Sequence, residues 1–416
     1  MEIKASTTQF PIDAAKDAAS IQIDKQPSGQ VCHVDDQTDW SDGQSASIYC
    51  ETVLTRPLSL YVMGARISKS VDRIYLPLRL GDTSGNISGL LDTGSAGAVL
   101  NAFQVFPESI LTKDGFRFPS GSHRIEYNGI IVTDAVVKKM YGGKGDNAKS
   151  MVGNLGFAQI SFGKDDRIVT GMVPVLFAFA KEKGTSIAAL QANDSSSNII
   201  GINPDENALR NLDYDASGQK ASPIHATCDD HLTTNCGLIS PLRKLTFAPA
   251  VDQGFALSRV PMSNCSTSSI GRCPGSGTLT IGLDQESMRG FVTAPMECRG
   301  ISDEQGTLNL CNPVLRDITI SSAGNSFNGR ALFDTGSPRF IINVSEGSTM
   351  NAYSSSDDSL SVSIDNQVIY HNSLSKIGTQ KIIVNLDSKN YSNVGVAFFE
   401  EHAFFTNYDR KTIGFR

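Results

Sequence analysis

The sequence predicts an all-β protein built as two lobes, and three observations carry the prediction. The apolar segments are short, broken by Gly, Asn, Asp and Ser, and few apolar stripes of helical period occur among them. Hydrophobic residues make up 40% of the 416, enough for a core that can divide into two. A short motif, Asp-Thr-Gly-Ser, occurs once in each half, at Asp92–Ser95 and at Asp334–Ser337, each time after an apolar run.

Residues 1–56 are polar and uneven and read as an N-terminal extension. Residues 57–225 are expected to form the N-terminal lobe around Asp92, and residues 226–416 the C-terminal lobe around Asp334. "LSLYVM" (58–63) is a strand, and "RIYLPLRLGD" (73–82) alternates as a half-buried strand does before a turn. "NISGLLDTG" is a strand running into the first motif. "HRIEYNGIIVTDAVVKKM" (123–140) reads as a hairpin with Asn128-Gly129 at its turn. "MVPVLFAF" (172–179) is a buried strand, and 196–212 reads as a strand, a glycine and a short helix. In the second half "GTLTIGLD" (277–284) and "VLRDITISS" (314–322) are strands. The last residues give strand-like runs around a turn at Asp409-Arg410-Lys411. Each half also carries a similar signature, Ile199-Ile200-Gly201 and Asn393-Val394-Gly395, so the halves share a plan more than a sequence.

The net charge of −7 is spread along the chain and argues against a nucleic-acid partner. No stretch has the length of a membrane span. Eight cysteines fall in chain order into four close pairs, Cys32–Cys50, Cys228–Cys236, Cys265–Cys273 and Cys298–Cys311. An even count in short loops points to disulfides and to an oxidising compartment, secreted or periplasmic. The start lacks the apolar core of a signal peptide, so a targeting segment is expected to be absent from this chain. Cys228, His231 and Cys236 offer three metal ligands without the paired spacing of a zinc site, and no metal is expected.

One Asp-Thr-Gly-Ser is an ordinary turn; two in matching contexts need another account. Two carboxylates held together cannot both ionise easily, so one keeps a proton while the other accepts one. Such a pair can take a proton from water and protonate a leaving group, with neither metal nor cofactor. The neighbours suit this task. Gly94 and Gly336 let backbone approach the carboxylates, Thr93 and Thr335 can bond across the two loops, and Ser95 and Ser337 can donate to the outer carboxylate oxygens.

With these motifs the chain resembles a divergent pepsin-like aspartic peptidase. "IYLPLRLGDTSGNISGLLDTGS", "NIIGI", "GTLTIGLD", "LRDITI", "ALFDTGS" and "VGVAFFEEHAFFTNYDRKTIGF" follow that family's order over most of residues 57–416. Divergence shows where Ala96-Gly97-Ala98-Val99 lacks the family's tryptophan and where Pro338-Arg339-Phe340 replaces small polar residues. The resemblance implies a bilobal pepsin-like fold with a cleft between the lobes and Asp92 and Asp334 as the catalytic dyad. It also implies an extended polypeptide substrate under a flap from residues near 123–141, with Tyr127 as flap tyrosine and Tyr141-Gly142-Gly143 as a second candidate. A monomer is expected, needing no cofactor. Residues 1–56 are then an accessory segment or a prosegment. "LSLYVM" would join an inter-lobe sheet near the C-terminal "KTIGFR". Two other readings fit the same residues: an inactive pepsin-like protein that binds peptides or proteins, and a disulfide-rich β surface adhesin whose Asp turns are only structural.

Overall fold

The computed structural model describes residues 9–11, 28–34, 45–68, 71–141, 149–163, 168–183, 186–194, 197–204, 210–211, 237–262, 271–303, 306–322, 325–344, 359–377, 382–386 and 391–416. The predicted all-β, two-lobed class is the class observed.

Period-two burial is plainest in Val71–Leu80. Asp72, Ile74, Leu76, Leu78 and Leu80 are buried, and the residues between them face the other side. Asp72 is the one charge on the buried face, and the Arg66 guanidinium grips it at 2.8 and 3.3 Å. That alternation sends Arg73 and Tyr75 to the opposite face, with consequences for the site below.

The largest sheet runs from the first half of the chain into the second. Its order is Arg124–Tyr127, Ile130–Tyr141, Lys149–Phe162, Ile168–Lys183, Ala96–Asn101, Ile199–Ile202, Ile87–Asp92, Val71–Leu80, Leu58–Ser68, Gly271–Leu283, Asp252–Leu257, Phe404–Asn407, Thr412–Phe415 and Val292–Pro295. A second sheet belongs to the second half alone: Gln367–Ser373, Ser359–Ile364, Val314–Ser322, Asn325–Phe333, Tyr391–Val394, Phe340–Val344 and Ile382–Leu386.

One arrangement occurs twice. Ile199–Ile202 lies between the strands on either side of the first motif, parallel to Ile87–Asp92 and antiparallel to Ala96–Asn101. Tyr391–Val394 lies in the same way between Asn325–Phe333 and Phe340–Val344. The weak internal repeat of the sequence is thus a strong repeat of topology. Beneath the motifs a continuous core joins the halves, from Leu60 and Ile74 to Phe333, Phe398 and Phe415. Phe333 packs on Phe398, Phe404 and Phe415 with ring centroids 4.5–5.8 Å apart.

The hairpin turn at Asn128-Gly129 forms, with φ of 49° and 71° at those residues and Tyr127 opposite Ile130. Three expectations need correction. Arg210–Asn211, the described part of the expected short helix, is a strand that pairs with Val137 and Lys138. Val396–Phe399, expected within a strand-like run, is a helical turn with all four residues buried. Leu58–Ser68 does join the sheet connecting the halves, but its neighbours are Val71–Leu80 and Gly271–Leu283, and three strands separate it from Thr412–Phe415.

Ser45–Leu54 pairs with Gln30–Val34, Gln9–Pro11 and Thr246–Phe247. It is fastened to the first lobe by Gln159 Nε2 donating to the Cys50 carbonyl (2.7 Å) and by the Val169 N–H donating to Thr52 Oγ1 (2.9 Å). Cys32–Cys50 and Cys298–Cys311 are disulfides, each between residues directly opposite on neighbouring strands. Cys228, Cys236 and Cys265 lie outside the described residues, and Cys273 is described only in its backbone. Among the described residues, no helix is long and apolar enough to cross a membrane.

Candidate active site

Asp92 ends the strand Ile87–Asp92, and its backbone is held in register by Gly201. Its carboxylate turns back onto its own loop. Oδ1 accepts the N–H groups of Gly94 (2.8 Å) and Ser95 (3.2 Å), and Oδ2 accepts the Ser95 hydroxyl at 2.6 Å. Asp334 follows the strand Asn325–Phe333, and its N–H donates to the Val394 carbonyl at 2.9 Å. Its Oδ1 accepts the Ser337 N–H at 3.1 Å, with the Gly336 N–H also directed at the carboxyl.

The two loops meet. The Thr93 hydroxyl donates to the Phe333 carbonyl (2.7 Å) and accepts the Thr335 N–H (3.0 Å). Thr335 returns both bonds, to the Leu91 carbonyl at 2.6 Å and from the Thr93 N–H at 3.0 Å. Both threonines are buried. Losing either hydroxyl strands one carbonyl and one N–H, at about 1–3 kcal/mol per buried unsatisfied group. Thr93→Val or Thr335→Val is therefore expected to destabilise the fold by about 2–6 kcal/mol, measured by denaturant unfolding. Unfolding midpoints equal to the wild type would show that these bonds contribute nothing.

The glycines show how closely the motifs approach. A Cβ on Gly94 would sit 2.5–2.9 Å from the carboxyl atoms of Asp334, and a Cβ on Gly336 would sit 2.6–2.9 Å from those of Asp92. Each carboxyl therefore lies against the other motif's glycine. The two carboxyls are therefore close neighbours, each within reach of the other's charge. Burial, then the neighbouring Asp92 charge, holds the Asp334 proton well above the usual carboxylate range, against the Gly336 N–H and Arg73.

Arg73 and Asn393 also belong to this site. The Arg73 guanidinium donates to the Gly336 carbonyl at 2.8 Å. Burial lowers its pKa, while Tyr75, Asp334 and Asp92 act to raise it. Asn393 Nδ2 donates to Asp334 Oδ2 at 3.1 Å. The Ser337 hydroxyl, expected on Asp334, donates instead to the Arg339 carbonyl at 2.8 Å. The sequence held faint signals for both residues: a charge on an alternating strand, and an amide where the other signature has an apolar residue.

Tyr127, the expected flap tyrosine, is partly buried against the core, with its ring 5.7 Å from Phe106. Its position at the corner of a tight hairpin points it into its own lobe. The longer hairpin is Ile130–Tyr141 with Lys149–Phe162, and residues 142–148 between them lie outside the described ones. Tyr141 ends the first of these strands. Its hydroxyl is buried and has no hydrogen-bond partner among the described residues, and burial, then the Asp92 charge, pushes its pKa far up. The Tyr391 hydroxyl pKa is raised by burial and then by the Asp334 charge.

No protein-family model and no curated protein matches the chain. Among solved structures it is similar to the aspartic proteinase from Irpex lacteus. The identity is 14% and the TM-score 0.48, over 86% of this chain and 97% of that one.

Proposed function

We propose that this chain is an aspartic endopeptidase, with Asp92 and Asp334 as a dyad that activates water. The observation that carries the reading is the meeting of two carboxyls from separate halves, each pressed on the other motif's glycine. A shared proton gives the pair one acid and one base. The ionised carboxyl takes a proton from a water, which attacks the peptide carbonyl. The protonated carboxyl polarises that carbonyl, and the leaving nitrogen is protonated as the tetrahedral intermediate collapses. An adhesin with merely structural Asp turns gives no reason for burying two carboxyls together, a costly arrangement.

On this reading residues 57–225 and 226–416 are the two lobes, and an extended polypeptide lies between them. The strands Ile130–Tyr141 and Lys149–Phe162 would carry the covering segment, with Tyr141 in the place first given to Tyr127. Thr93, Gly94, Ser95, Thr335, Gly336 and Ser337 form the supporting loops. The two disulfides fit a secreted or periplasmic setting. The test is incubation with an unfolded polypeptide in acidic buffer. Internal cleavage by the wild type that is absent with Asp92→Asn is the expected result. Intact substrate across the acidic range would favour a binding protein on this fold.

Arg73 gives a prediction of its own. A cation beside the dyad favours its ionised form. Removing it raises the dyad's proton affinity, so a higher pH is needed to free the base. Arg73→Met is expected to move the kcat/KM–pH profile to higher pH, and a profile superimposable on the wild type would exclude this role.

A further inference from the structure

The two carboxyls are held differently, and the difference is in the side chains. At Asp92 the motif's own serine supplies the donor, Ser95 Oγ to Oδ2 at 2.6 Å. At Asp334 the equivalent Ser337 hydroxyl is turned away to the Arg339 carbonyl, and only its N–H reaches the carboxyl. The vacant donor position on Oδ2 is taken from another strand, by Asn393 Nδ2 at 3.1 Å.

The backbone explains how Asn393 arrives there. It lies opposite Leu332 in the parallel pairing of Tyr391–Val394 with Asn325–Phe333, and opposite Ile341 on the other side. In the first half the corresponding position, opposite Leu90 and Val99, is Ile199. Leu90 and Leu332 each stand two residues before their aspartate. An apolar side chain in one half therefore corresponds to an amide in the other, and that amide bonds to the carboxyl.

We propose that Asn393 is the positioning residue of Asp334, doing there what Ser95 does at Asp92, and that the Ser337 hydroxyl has no such role. This inference rests on the endopeptidase reading for its kinetic consequences, but not for the contact itself. An amide NH2 can only donate, whereas a hydroxyl can donate or accept. While the bond is kept, Oδ2 of Asp334 is held as an acceptor of the Asn393 amide. The second carboxyl is thereby fixed in rotamer, between the Ser337 N–H on Oδ1 and the Asn393 amide on Oδ2. The charged or titratable groups facing Asp334 are Asp92, Arg73 and Tyr391.

Four variants test this: Ser95→Ala, Ser337→Ala, Asn393→Leu and Asn393→Asp. Losing a hydrogen bond to a charged group corresponds to roughly a tenfold to hundredfold effect. Ser95→Ala and Asn393→Leu are each expected to lower kcat by about tenfold or more with KM little changed, and to move the pH profile to higher pH. Ser337→Ala is expected to lose several-fold less activity than Ser95→Ala, since its hydroxyl bonds to a backbone carbonyl and not to the carboxyl. Asn393→Asp keeps the shape and so guards against misfolding in the leucine variant. Its carboxyl donates when protonated and repels when ionised, so activity should persist at low pH and fail, as pH rises, earlier than in wild type. A Ser337→Ala loss equal to that of Ser95→Ala would overturn the assignment. So would an Asn393→Asp profile identical to wild type. The Asp334 carboxyl is also followed by 13C NMR titration, which needs no turnover. Its midpoint should rise in Asn393→Leu, and an unmoved midpoint refutes the contact. A wild type that cleaves nothing would sink the endopeptidase reading while leaving this titration decisive.

Discussion

Asp92→Asn or Asp334→Asn is expected to reduce peptide-bond cleavage by about 10²–10⁴-fold, the usual contribution of a positioned acid or base. Each carboxyl has its own proton-transfer task, so neither can cover for the other, and the double variant should be little worse than either single one. Cleavage within tenfold of wild type in either variant would remove the dyad from the mechanism. The Asp334 variant should also be informative in stability. In the folded protein Asp334 holds its proton well above the carboxylate range, because of burial and then the Asp92 charge. In the unfolded chain it ionises near the ordinary value of about 3.9. A raised folded value means that the folded state binds more protons, so stability falls as pH rises from that point through the folded value. Asp334→Asn has no proton to lose. It is expected to be at least as stable as wild type at neutral pH, with the difference shrinking towards pH 3, as read from thermal unfolding across pH. A variant markedly less stable at neutral pH would show that the buried carboxyl was not costing the fold anything. Such a result would leave the activity argument untouched.

Gly94→Ala and Gly336→Ala should have the next largest effects. Neither glycine is needed for left-handed backbone; each is needed for space. The added methyl would lie under 3 Å from the opposite carboxyl, closer than van der Waals contact permits. The neighbour that must yield is the reacting group itself, anchored to Gly94 and Ser95 in one case and to Ser337 and Asn393 in the other. Overpacking of this kind costs about 1–3 kcal/mol of stability. A displacement of about 1 Å at reacting atoms costs on the order of a hundredfold in rate, so loss of activity should exceed what the loss of stability explains. Folded, fully active alanine variants would contradict the close approach of the two motifs.

Much of this protein is legible in its sequence because the relevant physics is local. Alternation in "RIYLPLRLGD" fixes which face of that strand is buried, and Asn128-Gly129 dictates a tight hairpin through its backbone preferences. The duplicated Asp-Thr-Gly-Ser, each copy after an apolar run, marks Asp92 and Asp334 with their threonines and glycines. What the sequence does not hold is any vector between segments far apart in the chain. Only the tertiary structure brings Gly336 onto Asp92 and Gly94 onto Asp334. Only the pairing of Tyr391–Val394 with Asn325–Phe333 carries the Asn393 amide to Asp334, while Ser337, the nearer residue in sequence, turns its hydroxyl away. Tyr127 and Tyr141 look alike in their sequence settings, each before a glycine or near one. Strand length separates them: a four-residue strand leaves Tyr127 on its own lobe's core, and a twelve-residue strand takes Tyr141 within the field of Asp92. Local periodicity specifies faces and turns, whereas a catalytic geometry depends on long-range register, which is set only when the whole core packs.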